Sequence, residues 1–417
     1  MPVGSGTAAR GSALRLTLRS PFYRGATIAM FLSGLGFSAA APQIALFLVN
    51  GLGASLPTAG MYYLTSLTAP VAGYLVGARS DRTGRRLLLF RLCATAGFLG
   101  WAAIAFSTRI WMPFVISAVV LGFSGAAGSQ LFAAVHDQLR HDQHGDNEGV
   151  VAVVRMALTA GWVVGPVAGS WLAATLGLRA MLFATAVCTL AQVLPVPFAA
   201  VPAAGSSARA APAPQLPRAG VRAMLPLLAF TGLYVLVYAG EPVKYGFLPI
   251  YLHQQLRLAP AVSGAVIGIQ PLVELLLMPL SVLVGRRIGA MRLMVLGAAF
   301  GLAANLCFAT TASAAGMFAG QILMGGVWGV FAALGIIVAQ RLLPTAVATA
   351  SAIFMSSTAV ASALGGLTGG LGVSLLGLPH VFFIPAVSAL LATTGLAVMA
   401  RTSTHRTDHR PVSAAPI

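Results

Sequence analysis

Twelve long apolar runs constrain this chain more than any other feature. They fall at about 25–49, 58–78, 87–107, 110–135, 149–175, 180–200, 224–251, 260–284, 292–312, 314–340, 346–376 and 379–400. A helix of roughly 20 residues, rising about 1.5 Å per residue, crosses the hydrocarbon core of a bilayer. Lipid offers no water to exposed backbone groups, so a spanning segment is a helix or a strand of a closed barrel. Runs of this length do not fit barrel strands of about 10 residues. The expected fold is therefore all-α and integral to the membrane, with twelve transmembrane helices. Composition agrees, because 58% of the 417 residues are hydrophobic and only 8% are charged. That excludes a soluble globular enzyme for want of charged surface, and disorder for excess of apolar surface. Ala39-Ala40-Ala41 resembles a signal-peptide cleavage site, but the apolar character continues to Val49 and predicts an uncleaved first helix.

The net charge of +17 raises the possibility of a nucleic-acid partner. The basic residues instead form short clusters between the apolar runs, as the positive-inside rule requires, so no nucleic acid is expected. Of 25 Lys and Arg, three fall in the connections on one side (Arg109, Arg179, Arg257) and three lie within spans (Arg91, Arg155, Lys244). The other 19 sit on the opposite side, which places both termini in the cytoplasm and the chain in a bacterial inner membrane. The three cysteines lie far apart in apolar runs and form no disulfide or metal framework.

The stretch 201–223 is rich in Pro, Ala and Gly and reads as a flexible linker. It divides the chain into a basic tail (1–24), a six-helix half (25–200), the linker, a second six-helix half (224–400) and a basic tail (401–417). Two halves of nearly equal length predict a pseudo-repeat transporter with its site between them at mid-depth.

Two motifs carry a family resemblance. Between spans 2 and 3 stands Gly77-Ala-Arg-Ser-Asp81-Arg82-Thr-Gly84-Arg85-Arg86. Its glycines allow close helix approach and a tight turn, and Asp81 can pair with arginines. The pattern resembles the loop signature of the major facilitator superfamily and implies a cytoplasmic gate. The corresponding loop of the second half, Gly285-Arg286-Arg287-Ile288-Gly289, lacks the acidic residue. In span 5, Gly161-Trp162-Val-Val-Gly165-Pro166-Val-Ala-Gly169 resembles the antiporter signature of that superfamily, which implies export. Generic small-residue packing is the plain alternative.

A narrower resemblance rests on Gln130-Leu131-Phe132-Ala133, Val154-Arg155-Met156-Ala157, Glu241 before Pro242, and Val273-Glu274. These segments are similar to those of bacterial sugar efflux transporters. The resemblance implies export of lactose, other small saccharides and glycoside analogues by proton antiport, from a monomer that acts on a sugar and protons within the lipid bilayer. Glu241 in place of an aspartate, and a His-rich 136–148 segment, depart from the family pattern.

Ionisable residues inside a span are costly and mark function by default. Arg155 in span 5 and Glu274 in span 8 are expected to pair across the halves and close the cytoplasmic side; a static pair or a snorkelling Arg155 is the alternative. Span 7 sets Tyr234, Tyr238, Glu241 and Tyr245 within an arc of about 60°. Aromatic faces beside a carboxylate suit a sugar, with Lys244 placed to neutralise Glu241; an interfacial aromatic belt would give the same pattern. Gln43, Gln130, Gln270, Gln321 and Trp328 are further candidate substrate ligands, although single amides also tie helices together. Glu241 and Glu274 are the candidate proton carriers, with Asp137 third.

His136-Asp137-Gln-Leu-Arg140-His141-Asp142-Gln-His144 contains metal-ligand residue types but reads as a polar connection, so no metal site is expected. No nucleotide-binding or hydrolytic motif occurs, so neither an enzyme, a cofactor nor ATP-driven transport is expected. Two rivals remain: a proton-coupled multidrug exporter of apolar cations, and a non-transporting membrane sensor or scaffold.

Overall fold

The computed structural model describes residues 14–142, 147–197 and 221–408. The greater part of the linker, the ends of both tails, and the Gln143 and His144 positions of the His-rich segment lie outside the described residues. Helix begins at residue 14, inside the stretch expected to be a tail, and at the far end it runs on to Asp408.

Among the described residues, ten helical segments are long and apolar enough to cross a membrane. They are α1 (Pro21–Gly51), α3 (Arg86–Ala105), α4 (Trp111–Asp142), α5 (Gly149–Leu176), α7 (Arg222–Gln255), α8 (Pro260–Ile288), α9 (Ala290–Thr310), α10 (Ala314–Leu342), α11 (Thr349–Leu376) and α12 (His380–Thr402). Two more complete the twelve. The second, α2 (56–83), is interrupted by a 3-10 stretch, Tyr62–Thr68. There Thr65, Ser66 and Thr68 each donate a side-chain hydrogen bond to the carbonyl three residues back, which competes with regular helix. The sixth, α6 (Leu178–Ala191), is 14 residues long and ends in turns before Pro197.

Local chemistry explains the boundaries. Ser20 caps α1 through its side chain, with Pro21 in the first turn. Gly84 closes α2 in the left-handed conformation at φ 65°, the tight turn expected of the loop signature. In α7 the helix is broken at Ala239, just before Glu241 and Pro242.

Packing resolves into two bundles. The largest core cluster runs from Leu227 to Leu396 and belongs to α7–α12. Two others, one between Tyr23 and Val196 and one between Ala40 and Ala186, belong to α1–α6. A small fourth cluster, Ala45, Leu46 and Ile250, joins the bundles. This junction lies away from the arginine-rich end that carries Arg79–Arg86 and Arg286–Arg287.

Other close approaches between the bundles lie towards the same far end. A Cβ on Gly60 of α2 would lie 2.7 Å from the Cα of Gly370 in α11. One on Gly264 of α8 would lie 2.7 Å from the Cα of Val167 in α5. Asn50 of α1 accepts a hydrogen bond of 3.0 Å from Gln254 of α7. The bundles are thus zipped at the far end, while a cavity runs between them from the basic end.

Candidate substrate cavity and buried charge cluster

The cavity has two connected parts. The outer part, about 770 Å³, opens at the basic end between His136 of α4, Arg155 of α5 and Met355 of α11. The inner part, about 350 Å³, ends against Tyr62 and Tyr63 of α2 and Tyr238, Glu241 and Tyr245 of α7. Phe37, Trp101, Leu121, Gly125 and Trp162 border both parts. The inner walls are therefore aromatic, with hydroxyls from Thr65, Ser66, Ser117 and Ser362 between the rings. The Tyr62 hydroxyl bonds to Ser117, whereas the buried Tyr63 hydroxyl has no hydrogen-bond partner.

Glu241 stands at the apex, only 7% exposed. Lys244, 1% exposed, donates to Glu241 Oε1 and Oε2, both at 2.8 Å, and to the Gln270 carbonyl oxygen. Trp328 Nε1 donates to Glu241 Oε1 at 2.7 Å. Three residues on α7 put Lys244 on the same face as Glu241; α8 and α10 bring the amide and the indole. Glu274 stands one turn of α8 beyond Gln270, on the same face of that helix. A buried carboxylate on this scale holds its charge only with partners of this kind.

The expected substrate ligands divide. Tyr238 and Glu241 face the cavity. Gln270 and Trp328 hold the charge cluster from behind. Tyr234 packs in the core of the second bundle and borders neither part of the cavity, its ring centroid 4.5 Å from that of Phe354. The span 7 stripe is therefore not an interfacial belt: it lies inside the protein, because the break at Ala239 and the bundle contacts bury it.

Gln43 is 4% exposed and donates to Ser170 at 3.0 Å, tying α1 to α5 instead of reaching the central cavity. Gln130 and Gln321 are buried at 4% and 0% and border neither part of the cavity. Both Gln321 side-chain polar atoms lack partners. Single amides at these positions had equal claims as glue and as ligands, and burial assigns them away from the cavity.

The expected pair between Arg155 and Glu274 is absent from this conformation. Arg155 is exposed in the outer cavity, and no ion pair joins it to Glu274. Helices α5 and α8 do meet, through Gly264 and Gly268 against Val163, Pro166 and Val167. That contact lies towards the closed end, while the cavity occupies the space around Arg155.

At the basic end, Arg86 bonds to Asp81 at 2.7 Å, to Asp137 at 3.1 Å and to the Ser80 hydroxyl at 2.8 Å. Asp137 thus belongs to this surface network. Arg82 and Arg85 are exposed beside it. Gly77 does not serve close helix approach here, since a Cβ there would meet nothing within 4 Å.

The span 5 glycines do serve it. A Cβ on Gly161 would lie 2.4 Å from the Phe31 carbonyl oxygen, on Gly165 2.6 Å from that of Leu35, and on Gly169 2.7 Å from that of Ala39. Pro166 sits within the same helix. The His-rich segment, expected to be a connection, continues α4 as helix through Asp142, which accepts from Tyr23 and Gln138.

Tyr62, Tyr63, Trp101 and Trp162 are cavity residues that residue-type reasoning left unassigned. Adjacent tyrosines followed by Thr65, Ser66 and Thr68 inside an apolar run were the available signal for α2. Trp162 stood in the motif, masked by its glycines.

Two six-helix bundles about a mid-depth cavity define a multi-pass membrane protein of the transporter class. The chain belongs to the Major Facilitator Superfamily, which it matches over residues 26–240 and 230–416. It is 27% identical over 377 residues to a putative sugar efflux transporter of Deinococcus radiodurans, covering 89% of this chain and 96% of that one. It is 26% identical over 370 residues to sugar efflux transporter A of Dickeya chrysanthemi, covering 86% and 91%. Among solved structures, the nucleoside transporter NupG aligns with a TM-score of 0.75 at 16% identity, over 91% of this chain and 98% of that one.

Proposed function

We propose that this chain is a secondary transporter that exports small saccharides or glycosides by alternating access, in exchange for protons. The observation that carries the reading is the inner cavity. Its tyrosine and tryptophan faces suit the C–H faces of a pyranose, and the hydroxyls between them suit its hydroxyl groups. The relatives named as sugar efflux transporters support the same substrate class.

By the positive-inside rule the basic end is cytoplasmic, so this conformation loads substrate from the cytoplasm. Export follows when the contacts of Gly60 with Gly370 and of Gly264 with Val167 open and the basic end closes. The Arg86 network and Arg155 belong to the closing side.

Glu241 and Glu274 are the proton carriers. Asp137, held by Arg86 at the basic end, is left out of this role.

The multidrug reading is weaker here. An apolar cation needs a free carboxylate in the cavity: both oxygens of Glu241 are taken by Lys244 and one also by Trp328, and Glu274 lines neither part of the cavity. The test is counterflow of radiolabelled lactose into proteoliposomes, with ethidium movement measured alongside. Saccharide counterflow that falls in Tyr238→Ala supports the reading. Ethidium movement without saccharide counterflow contradicts it, and absence of any flux would favour the sensor or scaffold.

A further inference from the structure

The outer cavity is polar on one side only. Arg155 and His136 both face it, together with the hydroxyls of Ser33, Ser124 and Thr189, and all come from the first bundle. No carboxylate lines it among the described residues. Among the described side chains at this end, Asp81 and Asp137 are engaged with Arg86, and Asp142 with Tyr23 and Gln138. Arg155 makes no ion pair with any described acid.

An arginine six residues inside the predicted start of its span, facing a cavity with no counter-ion among the described residues, is poised for an anionic ligand. Guanidinium geometry suits a carboxylate or a phosphate equally, through paired N–H donors.

The spacing says where that anion lies on the substrate. Arg155, Leu158 and Trp162 share one face of α5, and all three line the cavity. Seven residues of helix separate Arg155 from Trp162 by about 10.5 Å at a rise of about 1.5 Å per residue. Gln192, at the end of α6, lines the same cavity.

Resting on the saccharide reading above, we propose that the substrate is an anionic glycoside. Its sugar ring lies against Trp101 and Trp162, and a carboxylate or phosphate one to two sugar units away is held by Arg155.

The test is the Kd of the purified full chain for lactose, lactobionate and lactose 1-phosphate, measured by equilibrium binding at one ionic strength. The last two probes carry a carboxylate and a phosphate respectively. Wild type is expected to bind at least one anion about tenfold or more tighter than lactose, and the tighter of the two identifies the group. In Arg155→Gln the ratio should fall to within about twofold. Arg140→Gln, which alters an exposed arginine outside the cavity at the same end, should leave the ratio unchanged. A matched thermal midpoint checks that each variant is folded. Lactose bound as tightly as both anions, or a preference that survives Arg155→Gln, overturns the anionic assignment and leaves the saccharide reading intact. Failure of all three probes to bind overturns both.

Discussion

The two bundles place their charges at opposite depths. In the first, Arg86 draws Asp81 and Asp137 together at the basic end, where Asp81 is 72% exposed. In the second, the equivalent loop has no acid, and the charged pair Lys244 and Glu241 is buried at mid-depth, with Glu274 partly exposed. Solvent-exposed pairs contribute little to stability and can be made and broken cheaply. A buried pair cannot lose one member without leaving an uncompensated charge. On the proposed proton exchange, the first bundle is thus suited to a contact that forms and breaks in each cycle, and the second to holding a charge that a proton would neutralise.

That contrast breaks most sharply at Lys244. Lys244→Ala leaves Glu241 buried without its ammonium and should cost about 3–5 kcal/mol, seen as a lower thermal midpoint in detergent. Combining Lys244→Met with Glu241→Gln should recover much of that stability while lactose counterflow stays lost. A Lys244→Ala protein as stable as wild type would remove the buried-pair argument.

The next largest effect concerns the glycines of the two signatures. Gly165→Val drives its side chain into Leu35 and Ser38 of α1 and should cost about 1–3 kcal/mol. Gly77→Ala meets open space and should leave the midpoint unchanged. Equal effects would mean that the two motifs do not differ in the way their contacts indicate.

Cavity and glue come next. Tyr238→Ala should weaken saccharide binding about tenfold, near 1.4 kcal/mol. Gln43→Leu should cost about 1 kcal/mol of stability through the lost bond to Ser170 and leave the Kd alone. A Kd shift in Gln43→Leu equal to that of Tyr238→Ala would return Gln43 to the site. The smallest effect is expected at Asp81, where Asp81→Asn should change stability by less than about 1 kcal/mol. Asp137 is 19% exposed and should cost more as Asp137→Asn.

The helix order and the family were legible in the sequence, because apolar length and fixed motif positions are local properties. So was the pairing of Glu241 with Lys244, since three residues of helix set it. The partners from α8 and α10 were not, because only the packing of three helices brings Gln270 and Trp328 to α7. The positions of the amides were not legible for a related reason: Gln43, Gln130 and Gln321 have the same polarity whether they face a cavity or a neighbouring helix, and here they border neither part of the central cavity. The Arg155 and Glu274 pairing was read from two charges in facing spans. It was expected to close the cytoplasmic side, and the cavity here is open around Arg155 at the basic end.

The most direct measurement is lactose counterflow in proteoliposomes with and without an imposed pH gradient, for wild type and Glu274→Gln. The account predicts saccharide counterflow in wild type that the gradient accelerates, and counterflow without acceleration in Glu274→Gln. Wild-type counterflow indifferent to the gradient, or acceleration that persists in Glu274→Gln, would contradict the proton-carrying role of the buried cluster.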